Sequence, residues 1–221
     1  MFLNPIALNN FMAALADARR TIEERAHTLG VSLSDDDMKA LATGGGTNLG
    51  WMASIPVHIP DGKGGAYKTE WTLFDHPQLG TVKLNFWHAP DPRRIPHNHP
   101  WEDHEGLAFT SHIIAGGYTE TVYGYTDCYG YYPSVYQVYP HSGLNKNYNY
   151  RRVYHTVDKV APGTITLMVC GRRKPEWGYL LLGERDENGY FTGEEVRFDD
   201  PRVADPGFRE AFLALNPMKR K

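Results

Sequence analysis

Residues 95–121 read IPHNHPWEDHEGLAFTSHIIAGGYTET and hold four of the chain's ten histidines. His97 and His99 are separated by one residue. On an extended chain, side chains at i and i+2 leave the same face, so the two imidazoles project together and Asn98 faces away. Enclosed by β-structure, two neutral imidazoles at this spacing can reach one ion at about 2.0–2.2 Å. A third ligand has to come from elsewhere. The strongest candidate is His155, central in YRRVYHTV and followed by the turn residues Ala161-Pro162-Gly163. Three histidines on two strands make a facial donor set whose other side is open to water, dioxygen or substrate. A His-x-His alone is more often a strand surface than a ligand pair, so the surrounding pattern has to carry the reading.

Further groups stand at positions that fit such a site. Tyr118 and Glu120 follow the Gly116-Gly117 turn and share a strand face. An inward Glu120 is costly unless it binds metal, pairs with a cation or orients a ligand histidine; outward, it is an ion pair or surface residue. Its distance past the turn sets it away from the level of the histidines. Either Glu120 or Tyr118 is a candidate for proton transfer. Arg151 has the strand parity of His155 and could grip a substrate carboxylate in bidentate fashion, although a bulge would put Arg152 there instead. Lys83 and Asn85 alternate with Leu84 and Phe86, and line the pocket if the polar face is the interior one. Eleven of the fourteen tyrosines fall between Tyr118 and Tyr154, as a strand-forming aromatic run or as the lid of a pocket. Cys128 and Cys170 have no histidine at a spacing that favours nucleophilic catalysis.

These groups need a scaffold, and the chain changes texture to provide one. Residues 1–50 read as helical: Phe11, Ala14, Leu15, Ile22, Ala26 and Leu29 approximate an apolar stripe, Asn9 or Asn10 caps its start, and Gly30 ends it. A second short helix, DDDMKALA, follows Ser34. TGGGTNLG lacks the context of a phosphate-binding loop and reads as a linker. From Trp51 to about residue 185 come short β-type runs (AYKTEWTLF, TVKLNFWH, LAFTSHIIA, YTETVYGYT, SVYQVYP, YRRVYHTV, TITLMVC) with turn residues between them, the texture of an antiparallel sandwich or barrel. Residues 186–221 form a C-terminal extension packing on that barrel, with an amphipathic helix around PGFREAFLAL.

The motifs VKLNFWHAPDPRRIPHNHPW, SHIIAGGYTE and, after His155, APGTITLMVCG and RRKPEWGY resemble the conserved motifs of small cupins, in particular bacterial and phage cupins with HDHPW and GGYTE signatures. They are more distantly similar to thiol dioxygenases such as cysteine dioxygenase. The resemblance covers about residues 66 to 182. It implies a double-stranded β-helix, or jelly-roll barrel, with a metal held by His97, His99 and His155. Many cupins add a glutamate seven residues before the turn glycine, where this chain has Phe109, so the implied set is three histidines, as in the thiol dioxygenases. Glu102, Glu105, His104 and His112 remain alternatives for a fourth ligand. The implied activity is that of a mononuclear non-haem Fe(II) oxygenase using dioxygen on a small polar substrate. With zinc, nickel or manganese the alternative is a redox-neutral isomerase or lyase, and without catalysis a ligand-binding cupin. A homodimer is an expectation of the same resemblance.

Composition narrows the remaining classes. The formal net charge of −3 offers no basic patch for nucleic acid or an anionic membrane. The N-terminal residues MFLNPIALNNFMAALADARR lack the basic start and unbroken apolar run of a signal peptide, and no stretch is apolar enough for a spanning helix. Two cysteines make no disulfide framework. The expectation is a cytoplasmic protein.

Overall fold

Asn4 and Pro5 set the start of the first helix, α1 (Pro5–Leu29). The Asn4 side chain accepts from the Ala7 N–H at 2.8 Å, and the proline ring supplies the backbone angle of a first helical turn. The cap thus lies upstream of Asn9 and Asn10, the expected positions; Asn10 sits inside the helix and donates to the Ile114 carbonyl at 3.0 Å. Gly30 closes the helix as expected, in the left-handed region at φ 65°. The buried face runs through Ala7, Ala14, Leu15, Ala18, Ile22 and Ala26, while Leu29, expected in that stripe, is exposed. Helix α2 (Asp35–Thr43) opens on a reciprocal cap: the Asp37 N–H donates to Ser34 Oγ, and the Ser34 N–H donates to the Asp37 carboxylate.

The computed structural model describes residues 4–43, 55–99, 101–102, 109–140, 145–148, 153–173 and 177–219; the TGGGTNLG glycines, residues 44–50, lie outside them. Among the described residues the strands are β1 (Val57–Pro60), β2 (Ala66–His76), β3 (Gly80–Trp87), β4 (Trp101–Glu102), β5 (Phe109–Ala115), β6 (Tyr118–Thr126), β7 (Gly130–Val138), β8 (Asn145–Tyr148), β9 (Tyr154–Val160), β10 (Ile165–Cys170), β11 (Arg172–Arg173), β12 (Gly178–Arg185) and β13 (Phe191–Arg197). They form two large antiparallel sheets, ordered β1-β2-β3-β10-β5-β8 and β12-β13-β7-β6-β9, and a small β11-β4 pair. The protein is therefore mostly β, with a few helices around two sheets.

The alternation of β3 decides which side of the first sheet is which. Val82, Leu84 and Phe86 join the apolar cluster beneath α1, together with Ile165, Leu167 and Val169 of β10. Lys83, Asn85 and Trp87 leave the opposite face, alongside Thr166 and Met168 of β10. Strand β10 is buried along its whole length because it is covered on both faces, which is why ITLMVC reads as a continuous apolar run rather than an alternating one. Arg25 ties α1 to this sheet by donating to the carbonyls of Leu79 and Cys170 at 3.0 and 2.8 Å.

The second sheet is continued by Pro96–Asn98. His97 bridges to both His155 of β9 and Tyr179 of β12, so this short extended segment joins the two outer strands of the sheet and closes a circuit. Strand β13, in the stretch expected as a C-terminal extension, is an integral member between β12 and β7. The expected C-terminal helix is present as α3 (Phe208–Leu215). Beyond it, the Asn216 side chain exchanges two hydrogen bonds, both 2.8 Å, with the His58 backbone and anchors the helix end to β1.

Between β5 and β6, Gly116 is left-handed at φ 68°, and a Cβ there would lie 2.4 Å from Thr164 Oγ1. Only glycine permits that approach. Thr164 in turn bonds the Gly117 N–H and carbonyl, fixing the start of β6 and with it Tyr118 and Glu120. Among the described residues no helix is long and apolar enough to cross a membrane.

Candidate metal centre

His97 and His155 are opposite one another in an antiparallel ladder. The His97 N–H donates to the His155 carbonyl at 3.0 Å, and the His155 N–H donates to the His97 carbonyl at 2.9 Å. Residues that exchange both bonds present side chains on one face, and the two ring centroids are 4.9 Å apart. His99, two residues on, returns to that face, with its Nε2 2.7 Å from His155 Nε2. Asn98 turns the other way as expected. Its Oδ1 accepts from the Gly178 N–H at 2.8 Å while its own N–H donates to the Gly178 carbonyl at 3.1 Å, so the residue between the histidines locks their register. One candidate ligand atom from each of His97, His99 and His155 can be chosen so that all lie within 4.8 Å of one another.

Carboxylates stand behind two of the rings. Glu120 is fully buried, and its Oε2 lies 3.4 Å from His155 Nδ1. The sequence reading set Glu120 away from the histidine level. In the ladder it pairs with Val157, two residues along β9 from His155, and that diagonal is within reach of a long side chain. Asp91 Oδ2 lies 3.2 Å from His97 Nδ1, but off the N–H direction, so that buried nitrogen has no aligned hydrogen-bond partner. We take the pair as an electrostatic contact. A carboxylate beside Nδ1 favours the proton there and leaves Nε2 as the lone-pair nitrogen. Asp91 is held by its backbone N–H, which donates to the Val157 carbonyl at 3.0 Å.

Burial, reinforced by the neighbouring His155, pulls the His97 pKa down to about 4, and burial with His155 and His97 pulls His99 well below its usual value. Both imidazoles are therefore neutral near pH 7, the form that ligates metal. Imidazole nitrogens converging from three side chains, with carboxylates beside two of the rings, suit a divalent first-row ion.

Phe109 is buried with its ring 4.3 Å from that of His99 in an edge-to-face contact. It presents carbon, not a carboxylate, beside the three histidines. His112 lies on the α1 side of β5, near Asp17, with its pKa lowered by burial, and does not join the cluster. His104, Glu105 and the candidate anchor Arg151 lie outside the described residues, as does the Glu102 side chain.

A small cavity of about 40 Å³ adjoins the three histidines and is also lined by Lys68, Ser111 and Tyr118. That is room for roughly three waters, or an ion with a small ligand. Burial, with Glu120 nearby, raises the Tyr118 pKa against an opposing hydrogen bond from Ser111, so its hydroxyl keeps its proton. A groove of about 950 Å³ shares Tyr67, Lys68, His97, His99 and Met168 with the cavity.

Lys83 lines the groove, with its Nζ 3.1 Å from both oxygens of Glu70. Asn85 is fully buried, makes its contacts to Thr166 and Met168, and is not among the residues lining cavity or groove. Of the described tyrosines of the β6–β7 hairpin, Tyr118 lines the cavity, Tyr131 is buried in an apolar cluster with Tyr123 packed against it, and Tyr125, Tyr129, Tyr132, Tyr136 and Tyr139 are exposed. Cys128 is exposed and Cys170 buried, the latter with its thiol pushed up to about 12 by burial.

Sequence reasoning passed over Asp91, Lys68 and Glu70. For the last two a signal existed: AYKTEWT alternates, and puts Lys68, Glu70 and Thr72 on one face of β2. No protein-family model matches the chain, and no curated protein matches it either.

Proposed function

We propose that this chain is a cupin-type, mononuclear metal-dependent oxygenase, with Fe(II) held by His97, His99 and His155, acting on a small polar molecule. The observation that carries the reading is the meeting of three imidazoles, two of them held neutral by burial, at one small cavity. The two-sheet architecture, with the His97–His99 segment laid against β9, is compatible with the jelly-roll barrel that the reading requires.

Held by His97, His99 and His155, Fe(II) would supply dioxygen activation beside a bound substrate. The chain's own residues prepare the site. Glu120 holds the proton on His155 Nδ1 and fixes the ring's orientation. Asp91 biases His97 in the same sense. Phe109 closes the position beside His99 against water and a fourth ligand. Tyr118, held in its protonated form, offers a hydrogen-bond donor within the cavity and is poorly suited to be a base. The alternative, a redox-neutral isomerase or lyase using zinc, nickel or manganese, needs a resident base; Glu120, engaged with His155, is poorly placed for that task.

The test begins with metal analysis of protein purified without chelator. About one iron per chain is expected, falling to background in His155→Ala. Oxygen uptake is then screened against small thiols, amino acids and aromatic acids. Uptake with one of these classes supports an oxygenase. A bound metal with no oxygen consumption in any class favours the redox-neutral alternative.

A further inference from the structure

Lys68 stands where the small cavity meets the open groove, lining both. Its Nζ is 2.8 Å from Glu70 Oε1, and Lys83 Nζ is 3.1 Å from both oxygens of the same carboxylate. All three side chains are largely buried, at 13%, 11% and 21% exposure for Lys68, Lys83 and Glu70. One carboxylate therefore serves two buried ammonium groups. The Lys68 ammonium also lies 5.0 Å from the centre of the Trp87 ring and 5.6 Å from that of Tyr67, contacts that favour a cation away from water. Burial draws its pKa down, but Glu70 and Tyr67 outweigh that, and the group stays charged.

The wider charge balance points the same way. Of the buried and half-buried charges, Lys68 and Lys83 line the two spaces against Glu70 and Asp91, and Glu120 behind His155 adds a third carboxylate; Arg173 and Asp75 line the groove but are exposed. Among the described residues, a divalent ion at the three histidines would leave one positive charge in excess. In a largely buried site such an excess favours a ligand that brings one negative charge.

Resting on the metal reading above, we propose that the substrate is a small monocarboxylate, bound with its carboxylate on Lys68 at the neck between groove and cavity and its reactive end toward the three histidines. Lys83, on Glu70, keeps that carboxylate neutralised when Lys68 turns to the ligand.

Cobalt(II)-loaded protein tests this through its visible spectrum, titrated with 4-methylimidazole and with imidazole-4-acetate. Both can bind the metal through a ring nitrogen, and only the second carries a carboxylate. The wild-type protein should bind imidazole-4-acetate about tenfold more tightly, the worth of one charge-assisted hydrogen bond. Lys68→Met should bring the two affinities to within about twofold, with cobalt content and 4-methylimidazole affinity unchanged. Glu70→Gln, which removes the competing carboxylate, should widen the preference. Equal affinities in the wild-type protein, a preference that survives Lys68→Met, or one that narrows in Glu70→Gln would overturn the assignment while leaving the metal site standing. Failure to take up cobalt would remove the metal reading along with it.

Discussion

Glu120 Oε2 lies 3.4 Å from His155 Nδ1, and both side chains are buried. A buried carboxylate beside the far nitrogen of a ligand histidine fixes the ring's tautomer and raises its basicity. Glu120→Gln preserves shape and removes the charge, and should weaken metal binding by about 10- to 100-fold. Competition with a chromophoric chelator measures this. Asp91→Asn, acting through the less well aligned contact to His97, should have the smaller effect.

Phe109 packs edge-to-face on His99 beside the three histidines. Phe109→Glu should destabilise the metal-free protein by about 2–4 kcal/mol, through lost edge-to-face packing with His99 and burial of an unpaired carboxyl group. Added metal should recover much of that loss, because the carboxylate then has a cation to bind. Thermal unfolding of both proteins in chelator and in excess Zn(II) checks it. Equal losses with and without metal would place the residue-109 side chain away from the centre.

Acid should destabilise the metal-free fold through its histidines. Folded His97 titrates at about 4, against about 6.5 in an unfolded chain. Above pH 6.5 neither form is charged there. As pH falls from 6.5 toward 4, the unfolded chain takes up a proton that the folded chain refuses, so stability declines through that window. The loss from His97 amounts to roughly 3 kcal/mol when complete, with His99 adding in the same direction. Urea unfolding of wild-type protein and His97→Gln at pH 7 and pH 5 should show a shallower pH dependence in the variant.

Arg25 offers a test of the scaffold apart from the site. Arg25→Met keeps the aliphatic stem beneath α1 but leaves the carbonyls of Leu79 and Cys170 without this donor. A cost of about 2–3 kcal/mol is expected, measured by denaturant unfolding, with metal stoichiometry unchanged.

What the sequence disclosed follows from how local each signal is. Tyr118–Thr126 is legible because turn residues bracket an alternating run, and the His97–His99 pair because a two-residue spacing on an extended chain settles a shared face. His155 was reachable as a histidine central in a later strand. The start of α1 is less legible, because Asn9 and Asn10 are cap-type residues too, while Asn4 makes the cap and the Pro5 ring marks the first helical turn. Asp91 lies in a proline-rich loop with no period, and its approach to His97 depends on a backbone bond to Val157. Lys68, Glu70 and Lys83 meet through the pairing of β2 with β3, a register that neither strand encodes alone. Glu120 needed the β6–β9 register before its level could be known. The sequence pattern names residues that share a strand; the charges that tune them arrive from elsewhere in the fold.

X-ray absorption at the metal edge of protein purified without chelator probes the central claim most directly. The account requires about one metal per chain, with scattering from three imidazole rings bound at roughly 2.1 Å and one ring lost in His155→Ala. A wild-type protein without metal, or a metal whose spectrum carries no imidazole scattering, would contradict it.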